Sequence, residues 1–278
     1  MNYVRVIRLR KIGDFLLNAI IVLFALAPLL WGLSSSLKPA NRILQVPPEL
    51  IPSEVTFAHY ETLIENQLFH YMANSAIVSA ATVALCLAVG AFAGYALSRF
   101  AFPGRNLVML AVVTVMSIPI ASLLVPTYTL IANLGLLDTR TGLVLLYTAY
   151  ELPIVIWIMF GYFNTIPRQL ENAAMIDGYS RFDALRRVIL PLAGPGLIAS
   201  GLFVLTAAWN DFVVAVVMTS AEAVRPLPVA VYFYLGFFGR EWGPLLAASM
   251  VSIAPIILIF VIFQKYFVSG VTGGSVKG

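Results

Sequence analysis

Residues 171–191 read ENAAMIDGYSRFDALRRVILP. Long apolar runs surround them, yet this stretch holds Glu171, Asp177 and Asp183 with Arg181, Arg186 and Arg187, a glycine in its middle and a proline at its end. Such a segment belongs outside a bilayer core, where each charged side chain costs several kcal/mol to insert. Its local signals predict two short helices joined by a sharp turn. Pro167 suits a first helical position. Leu170, Ala173, Ala174 and Asp177 follow at helical spacing and make one small, mostly apolar face. Gly178 stands where a helix end requires left-handed backbone, which glycine adopts cheaply. Ser180 and Asp183 form an S-x-x-D capping box for the second helix. Phe182, Leu185 and Ile189 give that helix one apolar stripe, and its arginines fall largely off it. Pro191 ends it. Two readings stay open at this point: a hairpin resting on lipid headgroups, or a knob that docks into a partner protein.

The rest of the chain sets the context. Of 278 residues, 60% are hydrophobic and 11% charged, and the mean hydropathy is +0.92. Soluble domains carry about 25% charged residues, so a water-soluble domain is excluded. Apolar stretches of about 20 residues are candidate membrane helices. We find six, at about 13–35, 72–98, 106–130, 142–163, 196–219 and 244–268. Pro119, Pro126, Pro153 and Pro255 fall inside them and predict kinks, which a bundle tolerates because neighbours satisfy the freed backbone groups. Basic residues set the orientation. The N-terminal tail, the 99–105 turn, the 164–195 loop and the C-terminal tail hold twelve of the 17 Lys and Arg. By the positive-inside rule both termini and the 167–191 hairpin are cytoplasmic. Residues 36–70, with Pro39, Pro47, Pro48 and Pro52, and residues 220–243 then form outer loops. The basic N-terminus mimics a signal peptide, but its apolar run exceeds a usual h-region, so it is read as a retained first span.

Few residues carry chemistry. Cys86 is the single cysteine, so no intrachain disulfide forms. His59 and His70 have no metal-site spacing, and no metal is expected. There is no phosphate-binding G-x-x-x-x-G-K-[ST] pattern. Glu151 and Asp211 fall inside spans, where acids read as functional. With Trp209 and Asn210 they are candidates for a substrate path or the bundle interior; a purely interhelical hydrogen bond is the other reading. Gly90 and Gly94 form a G-x-x-x-G that marks a close helix contact without naming its partner.

The hairpin resembles the EAA motif of ABC importer permeases, E-A-A, three residues, G, nine residues, I-x-L-P. Asn172, Ala173 and Ala174 occupy the triplet, Gly178 follows at the motif distance, and Val188, Leu190 and Pro191 close it. Asn172 replaces the motif Glu, with Glu171 adjacent, and Val188 replaces Ile. LKP at 37–39, AWNDF at 208–212, RPLP at 225–228 and the C-terminal FVSGVTGGSVKG extend the resemblance over nearly the whole chain. It is closest to the smaller permease subunit of maltose-type sugar importers.

The resemblance implies an all-α polytopic membrane protein. It is a single transmembrane permease domain, 1–278, with six transmembrane helices and a cytoplasmic coupling-helix hairpin, the type I ABC importer permease fold. It implies that Glu171, Asn172, Ala173, Ala174, Asp177, Gly178, Leu190 and Pro191 couple to an ATPase. Arg240, Glu241 and Trp242 would meet a solute-binding protein. A tail including Gly273, Gly274 and Lys277 would reach between the ATPase monomers; a frayed terminus is the other reading. The implied partners are a second permease subunit in a heterodimer, two ATP-binding subunits, an extracytoplasmic solute-binding protein and membrane lipid, without nucleic acid. The chain itself is expected to be non-catalytic and free of cofactors, with ATP and Mg on the partner. The resemblance further implies a bacterial or archaeal cytoplasmic (inner) membrane, crossed in multiple passes. The implied solute is a di- or oligosaccharide. Glycerol-3-phosphate or another polyol is the alternative, and an ion-coupled secondary transporter, for which the internal repeats usual in that class are missing, stands behind it.

Overall fold

A computed structural model of the chain describes residues 2–235 and 241–272. Its helices are α1 (Asn2–Ser36), α2 (Ala58–Glu65), α3 (Leu68–Arg99), α4 (Arg105–Met116), α5 (Ile120–Asn133), α6 (Arg140–Thr165), α7 (Arg168–Ile176), α8 (Arg181–Leu192), α9 (Gly194–Asn210), α10 (Val213–Met218), α11 (Leu227–Phe233) and α12 (Trp242–Thr272). There is no strand among the described residues. Gly13–Ser36, Leu68–Arg99, Arg140–Thr165 and Trp242–Lys265 are each long and apolar enough to cross a bilayer. Two further helix pairs pass the same length and composition test only when taken together, α4 with α5, bent by 100°, and α8 with α9, bent by 73°.

The bends have causes in the sequence. The third expected span, 106–130, is two helices rather than one kinked helix. Pro119 lacks an N–H and pushes the residue before it out of helical backbone; it is the N-cap of α5, with φ −61° and ψ 127°. Pro126 stays inside α5, where the Thr127 hydroxyl donates to the carbonyls of Leu123 and Leu124 at 2.6 and 3.1 Å. The fifth expected span, 196–219, is interrupted after Asn210, where Asp211 is extended at ψ 122°.

The chain divides into two units. One holds Met1–Leu68 with Val231–Ala254. There the segment after α1 is irregular but tied. Lys38 is buried, donates to the Glu49 carbonyl at 2.5 Å, and lies 4.6 Å from the Trp31 ring centroid. Its own carbonyl meets His59 Nε2 at 2.9 Å.

The other unit holds Phe69–Ala230 with Pro255–Gly278. At its centre is α6, against which α4 and α9 pack. The core gathers Cys86 and Tyr95 of α3, Val155, Met159 and Phe163 of α6, Leu185 and Ile189 of α8, and Val204 of α9. The unassigned G-x-x-x-G contact is with α6. A Cβ on Gly94 would lie 2.9 Å from both Met159 Cβ and Phe160 N, so backbone meets backbone there and even alanine is too large.

Candidate functional site

The hairpin is built as its sequence signals require. Pro167 is the N-cap of α7 rather than its first residue, with φ −59° and ψ 132°. Asp177 ends the helix and Gly178 takes φ +91°. The Gly178 N–H then donates to Met175 O at 3.2 Å and the Tyr179 N–H to Ala174 O at 3.1 Å, the paired bonds of a Schellman ending. Ser180 Oγ accepts from the Asp183 N–H at 3.1 Å and opens α8. A π turn over Leu185–Ile189 carries α8 past Pro191, whose ring would meet the Arg187 carbonyl in a regular α-helix.

The expected apolar face of α7 is split. Leu170, Ala173 and Asp177 point outward beside Asn172 and Ile176, and Ile176 is 86% exposed. Ala174 turns inward with Glu171, which is only 5% exposed. Leu190 is half-buried and Pro191 exposed. Glu171 is drawn inward by α3. The Tyr95 hydroxyl donates to Glu171 Oε1 at 2.5 Å, and Arg99 Nε lies 3.1 Å from Oε2. That N–H is not aligned for a hydrogen bond, so the contact is an ion pair. Arg99 also donates to Ile166 O at 2.9 Å, and Arg168 donates to Ser98 O at 2.8 Å. Ser98 Oγ donates to Asn164 Oδ1 at 2.9 Å, and the Arg181 guanidinium lies 5.0 Å from the Phe100 ring. Tyr95, Ser98, Arg99 and Arg168 were not sequence candidates, because no local pattern connects them to Glu171.

Of the intramembrane candidates, Trp209, Asn210 and Asp211 sit at the break in the fifth expected span and Glu151 lies within α6. Asp211 Oδ1 accepts from the N–H groups of Val214 and Ala215 at 3.1 and 3.0 Å, and from the Tyr147 hydroxyl at 2.9 Å. From one residue before the N-cap, Phe212, it therefore satisfies two free N–H groups in the first turn of α10 and ties that turn to α6. Glu151, half-buried, is one turn beyond Tyr147 on α6. Trp209 is buried, whereas Asn210 is exposed and donates to Thr206 O at 2.9 Å. Irregular backbone at membrane depth persists only where protein or a water-filled cavity surrounds it. Asp211 is thereby joined directly to its neighbours on α6 and α10.

The segment after α10 is pinned by residues the sequence did not single out. Asp138, at φ 54°, accepts from the Ser220 N–H and from the Ala221 N–H, the latter at 2.7 Å. Asn74 donates to Ala223 O at 3.1 Å and Arg225 O at 3.0 Å, and Arg140 Nε donates to Asn74 Oδ1 at 3.0 Å. A non-glycine residue with left-handed backbone after L-L is the one local hint, since Asp is enriched there. The Glu241 N–H donates to Tyr234 O at 3.1 Å, and Trp242 opens α12. Arg240, Gly273, Gly274 and Lys277 lie outside the described residues.

A helical membrane unit with a capped, outward-facing hairpin between spans defines a class, the membrane component of a transporter. Residues 86–273 match the family described as "Binding-protein-dependent transport system inner membrane component", and this chain belongs to that family. It is 36% identical over 265 residues to the sulfoquinovosyl glycerol transport system permease protein SmoH of Agrobacterium fabrum, covering 95% of this chain and 93% of that one. It is 37% identical to the trehalose transport system permease protein SugB of Mycobacterium tuberculosis, covering 94% and 96%. It is 35% identical to the trehalose/maltose transport system permease protein MalG of Thermococcus litoralis, covering 98% and 97%. Among solved structures, a chain of a bacterial ABC transporter for import of the acidic polysaccharide alginate superposes with a TM-score of 0.79 at 26% identity, covering 94% of this chain and 97% of that one. The fold is the type I ABC importer permease fold.

Proposed function

We propose that this chain is one of two different permease subunits of an ATP-driven importer for a sugar of di- or oligosaccharide size. A solute-binding protein delivers the sugar outside, and two ATPase subunits drive the cycle from the cytoplasm. Both termini are cytoplasmic, on the basic-residue distribution. The chain carries no ATPase chemistry of its own; nucleotide and Mg belong to the partner. The observation that carries this reading is the division of α7. Glu171 and Ala174 anchor it, while Leu170, Asn172, Ala173, Ile176 and Asp177 are exposed beside the Gly178 turn, a compact knob for a cleft. The sugar class follows the trehalose and sulfoquinovosyl glycerol named for the relatives. Asp211, Asn210, Trp209 and Glu151 line or support the path, and the stretch around Glu241 and Trp242 faces the binding protein.

The test is co-purification and transport. An Ala173→Arg change places a bulky charge on the exposed knob. It is expected to abolish co-purification of the ATPase and ATP-dependent trehalose uptake into vesicles supplied with the binding protein. Uptake driven by a proton gradient alone would sink the reading. Uptake of glycerol-3-phosphate but no sugar would keep the importer and replace its solute.

A further inference from the structure

We propose that Arg99 and Glu171 are positioning residues that lock the end of α3 to the hairpin, so that force on the hairpin reaches α3 and α6 as one rigid movement. This rests on the reading that an ATPase drives the hairpin. The pair is sealed: the side chains are only 4% and 6% exposed. Tyr95 holds the second carboxylate oxygen, which fixes the orientation of the acid. The arginines are exchanged across the junction. Arg99, on α3, reaches the carbonyl of Ile166 just before α7, and Arg168, on α7, reaches the carbonyl of Ser98 at the end of α3. The Ser98 carbonyl is among those a helix end leaves without an intrahelical partner, so each element completes the other. Ser98 and Asn164 extend the close contact that begins at Gly90 and Gly94, binding α3 and α6 over one continuous stripe.

An apolar contact can slide by a rotamer change. A desolvated ion pair cannot separate without exposing two charges to an apolar surrounding, so it transmits displacement rather than absorbing it. The hairpin therefore has two faces with separate duties: an exposed one that docks, and a buried one that transmits. Glu171 belongs to the second, and it does not stand in for the motif acid replaced by Asn172.

The test uses the whole complex of both permeases, ATPase and binding protein in nanodiscs, with ATP and vanadate as the probe. Nitroxides are placed at Val89→Cys on α3 and Arg186→Cys on α8, in a Cys86→Ala background. With the clamp intact, the distance between them is the same with and without ATP. In Arg99→Ala or Glu171→Gln, ATP splits it into separate populations. Stimulation of ATP hydrolysis by the binding protein then falls about tenfold while the ATPase still co-purifies. Arg99→Lys, which keeps the charge, restores part of the stimulation. If Arg99→Ala does not assemble, Tyr95→Phe and Arg99→Lys carry the test, with stimulation expected to fall about threefold. An ATP-independent distance with full stimulation in the Arg99 and Glu171 variants overturns the proposal. ATPase binding that survives Ala173→Arg overturns the docking reading first, and the clamp falls with it.

Discussion

Glu171 and Asp211 are both acids held inside one apolar unit, and different kinds of partner hold them. Asp211 is satisfied mostly by its own neighbourhood: two backbone N–H groups three and four residues ahead, plus Tyr147. Its bonds are local: they close the first turn of α10 and tie it to α6. Glu171 is satisfied entirely from a distant helix, by Tyr95 and Arg99. Its work is to join elements. The comparison teaches that a buried acid in a membrane protein does not by itself mark a substrate path. What matters is whether its partners are amides beside it or charges elsewhere in the fold.

That contrast can be broken by substitution. Arg99→Ala should be the most damaging change, since it leaves Glu171 buried with only a tyrosine. A cost of about 3–5 kcal/mol is expected, read as lost thermal stability of the purified protein. Gly94→Ala forces a methyl group against the Phe160 backbone and should cost about 1–3 kcal/mol by overpacking, measured the same way. Asp211→Ala removes a cap and a tyrosine partner, for about 1–2 kcal/mol. Asp211→Asn keeps an oxygen for both amides and should stay within about 0.5 kcal/mol of the parent. If Asn proves as costly as Ala at position 211, the charge matters and the local-cap account fails. Smallest of all, Asn172→Ala should leave stability unchanged within about 0.5 kcal/mol, because that side chain faces outward; a larger loss would place it in the clamp.

The hairpin was the most legible part of the molecule, because its signals are short-range. Gly178, Ser180 and Asp183 each fix a cap within a few residues, and the turn and second helix begin where they dictate. The all-α membrane class was equally plain from composition. The two breaks were under-read. Pro119 announces a kink, but whether a proline bends a span or ends it depends on packing that no local pattern records. Asp211 also bonds the first amides of the helix that begins after Phe212, a local role that its place inside an apolar span gave no sign of. The direction of Glu171 and the partner of Gly94 were illegible for one reason: Arg99 and Phe160 come near them only after the chain has folded back.

The exposed tip of the hairpin also bears on the life of the chain before assembly. Leu170, Ile176 and Tyr179 are exposed on the surface of the hairpin, Ile176 by 86%. Exposed apolar clusters of this kind favour aggregation and recognition by quality-control proteases. If the proposed ATPase is what covers this tip, newly inserted copies that find none would be short-lived, and the abundance of this chain would follow the supply of that partner rather than its own rate of synthesis.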